Sequence, residues 1–163
     1  MGRRVLDGWR ETFKRTNPTI MSDNATYIDE IEREVYMREK VYPGLVKAGK
    51  MTQVDADRKT ALISNIARLF EYAERAGVPA TEITLPFHPP GIPFHTTTLA
   101  PQIQEVEKEI VQRIRRINRL HPSTSTYGLA LYQLQLMRDI LSILRHIQNT
   151  HTSAQAQLNL FPA

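Results

Sequence analysis

The chain contains no cysteine. That absence removes disulfides, thiolate metal sites and a cysteine nucleophile. No apolar run approaches the roughly 18 residues that a bilayer span requires. The arginines near the N-terminus are not followed by the apolar stretch of a secretory signal. Glycines are few and never cluster into a phosphate-cradling loop, and neither a His-Glu-x-x-His motif nor a nucleophile elbow occurs. These gaps predict a cytoplasmic protein without enzymatic activity, metal or cofactor.

What is present is ordinary for a globular protein: 41% hydrophobic and 23% charged residues. A chain of 163 residues is long enough to enclose one sizeable core. The net charge of +4 is unevenly spread. Arg3, Arg4, Arg10, Lys14 and Arg15 face only Asp7 and Glu11 in the first twenty positions, and Arg113, Arg115, Arg116 and Arg119 form a second basic cluster.

The pattern predicts an all-α protein, with two helical hairpins joined by a proline-rich connector and followed by a flexible C-terminal tail. Residues 1–25 read as a basic arm carrying the single tryptophan, Trp9, with Val5, Trp9 and Phe13 at four-residue spacing and Met21 as a possible second translational start. The first hairpin covers 26–77. Its first helix runs from Thr26 to about Tyr42, with Ile28, Ile31 and Val35 on one face, and breaks or kinks at Tyr42-Pro43-Gly44. A short turn then stops at Gly49, a natural C′ position. Thr52 and Asp55 resemble a capping box and open a helix to about Ala76, whose apolar face is Ile63, Ile66, Phe70 and Ala73. Gly77 and Pro79 end it.

The connector, 78–100, holds most of a dense proline run and repeats Pro-Phe-His at Pro86–His88 and Pro93–His95. Such proline density favours an extended path. It reads as a stiff linker pinned by its phenylalanines, with a docking loop or a His88/His95 metal pair as the sharper alternative. The second hairpin covers 101–148. Ile103, Val106, Ile110, Ile114 and Ile117 make a coiled-coil-like seam. His121-Pro122 closes that helix, and Ser123–Thr126 supply caps for a last helix to about Gln148. Its apolar arc, from Leu129 to Ile147, is wide enough for burial on two sides, against another helix and against another subunit in a homodimer.

Two charged groups are candidate chemistry. Glu30, Glu32 and Glu34, with Asp55 and Asp57, offer carboxylate pairs of the kind that metal sites use. Glu30 and Glu34 share a helix face, yet Arg33, Arg38 and Lys40 intermix with them, and a solvated surface is the expectation. Arg115, Arg116 and Arg119 project to one side and, with Arg113, are candidate phosphate contacts on DNA. The alternative is a solvated face paired with Glu105, Glu107 and Glu109.

Residues 149–163 begin with a polar, uncharged run and end in an apolar hook, Gln157-Leu158-Asn159-Leu160-Phe161. The composition of the run predicts mobility. An exposed apolar cluster at such a terminus suits a partner with a groove. The five residues resemble the motif by which bacterial polymerases and mismatch-repair proteins dock on the β sliding clamp, the β subunit of DNA polymerase III. Its four fixed positions coincide by chance roughly once in 60,000 windows. The resemblance implies that Gln157 is a hydrogen-bonded anchor, that Leu160 and Phe161 enter a hydrophobic pocket, and that Leu158 makes a partial contact. The competing expectation is that Leu158, Leu160 and Phe161 fold back to cap the helical core. The stretch Glu34–Ile66 is similar to small uncharacterised proteins of phages and prophages, which brings no activity with it.

Overall fold

A computed structural model describes residues 23–83 and 99–160, with side chains as far as Ser153. The described residues form four α-helices and one short 3-10 turn, with no strand, in keeping with the all-α expectation. Helix α1 spans Asn24–Lys47 and α2 spans Gln53–Ala76; the 3-10 turn is Ala80–Glu82; α3 spans Leu99–Ile117 and α4 spans Ser125–Leu160. The arm to residue 22, the Pro-Phe-His repeat with His88 and His95, and Phe161 lie outside the described residues.

Each helix boundary has a local cause. Asp23 caps α1, its Oδ1 accepting from the Thr26 backbone N–H at 2.9 Å and from the Thr26 hydroxyl at 2.7 Å. These bonds, the hydroxyl's foremost, hold the Asp23 carboxyl below its usual pKa. Thr52 caps α2 by accepting from the Asp55 N–H at 3.1 Å. Gly49 and Gly77 adopt positive φ, 67° and 68°, where a side chain would be strained, so both hairpin arms end where glycine permits it. Thr124 opens α4 by accepting from the Tyr127 N–H at 3.2 Å.

Two boundaries differ from expectation. Pro43 does not end α1, which continues to Lys47. Proline removes one N–H, and close to the helix end the Ala48 N–H to Gly44 carbonyl bond at 3.0 Å still closes the last turn. Nor does α4 stop at Gln148; its backbone remains helical to Leu160, where composition predicts a mobile tail. Thr150, Thr152 and Ser153 turn their hydroxyls back onto the carbonyls of His146, Gln148 and Asn149, each at 2.9 Å. Polar side chains are thereby satisfied within the helix, and the alanines and glutamines that follow are good helix formers.

Pairings between helices set their directions. Asn24 at the start of α1 donates to the Val78 carbonyl at 2.8 Å and accepts from the Ala80 N–H at 3.2 Å, placing the end of α2 beside the start of α1. Arg38, late in α1, reaches Glu105 early in α3, and Arg113, late in α3, reaches Glu30 early in α1. Helix α1 is therefore antiparallel to both α2 and α3. Arg113 meets the Gln133 carbonyl and Glu107 meets Arg145, so α4 runs antiparallel to α3. One hydrophobic cluster draws on all four helices. The α2 face is as expected, with Ile63, Ile66, Phe70 and Ala73 fully buried. The α3 seam is buried at Ile103, Val106, Ile110 and Ile117, with Ile114 partly buried. On α4, Met137, Ile140, Leu144 and Ile147 are buried whereas Leu129 and Leu131 are exposed. No helix among the described residues is long and apolar enough to cross a membrane.

Candidate functional site

The centre of the hairpin–hairpin contact is charged. Glu30, Glu34 and Arg38 on α1 and Glu105, Glu109 and Arg113 on α3 are all 4–6% exposed. The expectation of a solvated surface for Glu30 and Glu34 is thus overturned: the apolar stripe of α1 is narrow, and the neighbouring stripe faces α3 instead of water. Positions four apart share a helix face, so each helix presents Glu, Glu and Arg in a row to the other.

The row is knitted by two guanidinium groups. Arg38 Nε donates to Glu34 Oε1 at 2.9 Å, and its Nη1 donates to Glu105 Oε1 at 2.8 Å and to the Lys59 carbonyl at 2.9 Å. Arg113 Nε donates to Glu109 Oε1 at 2.8 Å, and Nη2 donates to Glu34 Oε2 at 2.9 Å. Arg113 Nη1 donates to Glu30 and, at 3.0 Å, to the Gln133 carbonyl. Glu34 bridges both arginines, and Glu109 does so more loosely, with Arg38 Nη2 at 4.0 Å. Arg33 and Arg116 close the edges, on Glu30 at 2.7 Å and on Glu109 at 2.8 Å. Four carboxylates thus meet two buried and two rim guanidiniums, and the cluster is neutral as a whole. Arg38 also lies 5.7 Å from the centroid of the Tyr42 ring.

Burial alone would raise the pKa of Glu34, but hydrogen bonding from Arg38 and the charge of Arg113 outweigh it, leaving the carboxyl below its ordinary value. For Arg113 and Arg38 burial favours the neutral form, yet the facing glutamates win and both guanidiniums are held more firmly protonated than usual. A carboxyl depressed in the folded state contributes stability above its unfolded pKa, near 4.5 for a glutamate. That contribution disappears as pH falls through the lower, folded value. Urea titrations between pH 3 and 7 are therefore expected to show stability falling below about pH 4.5, with a shallower fall in Glu34→Gln.

The ladder corrects one member of the basic cluster. Arg113 is 6% exposed and committed to three glutamates, so its guanidinium is not available to phosphate. Arg115, Arg116 and Arg119 are exposed, Arg116 being tied to Glu109. Glu105 and Glu107 pair with Arg38 and Arg145 rather than with this cluster. Asp55 serves the Thr52 cap and lies 3.6 Å from Arg58, and Asp57 accepts from Gln53. Among the described residues no group of three or more His, Asp or Glu is placed to hold a metal ion. A groove of about 300 Å³ on the outer side of the first hairpin is bordered by Glu32, Tyr36, Glu39, Arg68 and Glu71.

At the end of the described side chains, Asn149, Thr150, Thr152 and Ser153 are exposed and His151 is partly buried. Helix α4 carries the backbone of Gln157, Leu158 and Leu160, and Phe161 follows beyond the described residues. The residues that sequence reasoning missed are Glu30, Glu34, Arg38, Glu105 and Glu109 as a buried unit. The signal that could have found them is the spacing Glu-x-x-x-Glu-x-x-x-Arg, which occurs in both hairpins. Comparisons with protein-family models, curated proteins and solved structures find no match to this chain.

Proposed function

We propose that this chain is a non-enzymatic DNA replication or repair accessory protein that docks on the bacterial β sliding clamp through Gln157, Leu158, Leu160 and Phe161. The observation that carries the reading is the complete Gln-Leu-Asn-Leu-Phe match at the chain's end. Its position supports the reading. Ile147 of α4 belongs to the hydrophobic core. At 1.5 Å per helical residue, the Gln157 backbone stands about 15 Å further along the axis, near enough to keep the body beside its partner. In this reading Gln157 anchors by hydrogen bonds, and Leu160 and Phe161 fill the pocket.

Burying two large apolar side chains contributes roughly 3–6 kcal/mol. In a pull-down with purified clamp, Leu160→Ala/Phe161→Ala is expected to lose detectable binding while melting at the wild-type temperature. Equal capture of the two proteins sinks the proposal. A lowered melting temperature with unchanged capture favours a tail folded onto the body.

The body then acts as adaptor or competitor. An adaptor brings DNA or another replication factor to the clamp; a competitor occupies the cleft and blocks polymerases. A second reading, a small phage-type DNA-binding regulator with the tail as structure, draws on the exposure of Arg115, Arg116 and Arg119 at the end of α3 and on the basic arm. Replacing those three arginines separates the readings. Loss of DNA binding with clamp binding intact marks an adaptor. Inhibition of clamp-dependent synthesis by a protein without DNA affinity marks a competitor. DNA binding without clamp binding marks the regulator.

A further inference from the structure

The two hairpins are near-copies of each other in their buried chemistry. At one constant offset along the chain, Glu30, Glu34 and Arg38 correspond to Glu105, Glu109 and Arg113. The apolar positions follow the same offset: Ile28, Ile31 and Val35 against Ile103, Val106 and Ile110. An offset shorter by one residue relates the second helices, where Ile63, Ile66, Phe70 and Ala73 match Met137, Ile140, Leu144 and Ile147, all eight buried. Even the backbone acceptors correspond. Arg38 binds the carbonyl of Lys59 in α2, and Arg113 binds that of Gln133, its counterpart in α4.

Because α1 and α3 are antiparallel, this repetition makes the contact between hairpins quasi-two-fold. Each arginine bonds the middle glutamate of its own helix and the first glutamate of the other, and lies within 4.0 Å of the other's middle one. Such an interface is self-complementary in the manner of a symmetric dimer.

We infer that the ladder face of each hairpin is an exchangeable interaction surface whose partner is the opposite hairpin of a second copy of this chain, giving a hairpin-swapped dimer. Exchange retains every ion pair between hairpins and every apolar contact of the core. Closed monomer and swapped dimer then contain the same contacts among the described residues, and concentration decides between them. Exchange also requires six buried charges to be drawn through water, which makes a formed dimer slow to revert. A swapped dimer would carry two C-terminal segments on one particle.

The test uses the full wild-type chain, refolded from urea at about 1 µM and at about 500 µM and sized by chromatography with light scattering. The expected result is monomer from the dilute sample. The concentrated sample should give a dimer that persists for hours after dilution. Tagged and untagged chains should form mixed dimers when refolded together and not when mixed after folding. Monomer under both conditions overturns the inference, as does a dimer that dissociates within seconds of dilution, which is the behaviour of a surface contact. A second arm reverses the ladder on one hairpin at a time. One chain carries Glu30→Arg/Glu34→Arg/Arg38→Glu and the other Glu105→Arg/Glu109→Arg/Arg113→Glu. Each alone sets like charges against each other, whereas the swapped pair restores complementarity at both interfaces. Recovery of helix and of a heterodimer only on co-refolding supports exchange; recovery by either chain alone overturns it.

Discussion

Replacing Arg113 with alanine is expected to cost about 3–5 kcal/mol of folding stability, the range for removing one partner of a buried ion pair. The reason is the glutamates left behind. Glu30, Glu34 and Glu109 all bond the Arg113 guanidinium and all are buried. Without it, Arg38 alone remains inside the ladder. Charge that was neutralised becomes repulsion in a poorly solvated space. Against a total stability of about 5–15 kcal/mol for a typical domain, this loss approaches unfolding. Arg116→Ala is the control: it touches the same Glu109 oxygen, but its side chain is 57% exposed, and such a pair is worth at most about 1 kcal/mol. Chemical denaturation of the two variants side by side checks the contrast. Similar small losses in both would mean that water solvates the ladder.

Phe70→Ala is the second large effect. Phe70 is fully buried on α2, with its ring centroid 5.2 Å from that of Tyr27 on α1, itself 1% exposed. Truncation removes the transfer free energy of the ring and leaves a cavity in a close-packed site, together about 3–5 kcal/mol. In thermal denaturation the midpoint is expected to fall on the order of 10 °C. A fall of only one or two degrees would mean that the core around α1 and α2 closes over the gap. Phe70 lies far along the sequence from the C-terminal segment, so the clamp binding proposed above should be the same for wild type and for any Phe70→Ala protein that remains folded.

Much of the helical frame was readable from short-range chemistry. The caps at Thr52 and Gly77, the isoleucine seam of α3 and the buried face of α2 follow from spacing and from backbone geometry that only a few residue types satisfy. Pro43 does not set the helix boundary: it removes the N–H that the Glu39 carbonyl would accept, yet the turn after it still closes through the Ala48 N–H to Gly44 carbonyl bond. The end of α4 was misleading for another reason. Threonine and serine hydroxyls satisfied by their own helix are compatible with helix in a segment whose composition suits a mobile tail. The ladder was the larger omission. Taken singly, Glu30 and Glu34 look like solvated residues, since charged groups are rarely buried unless paired. Their partners sit on α3, a pairing that no local window contains. Only the recurrence of one charged spacing in both hairpins announces them, and it needs both halves of the chain to be read together.

The ladder also bears on where function resides. Its carboxylates are saturated by guanidiniums, so the charges at the centre of the body serve to join the hairpins. Exposed arginines remain at the end of α3, and the Gln-Leu-Asn-Leu-Phe segment begins ten positions after Ile147, a core residue of α4. The most direct measurement is calorimetric titration of the full chain into purified β clamp. The account predicts saturable binding of one chain per clamp cleft, and no measurable heat of binding for Leu160→Ala/Phe161→Ala at the same concentrations. Absence of binding by the wild-type chain, or an unchanged isotherm for the double variant, would contradict it.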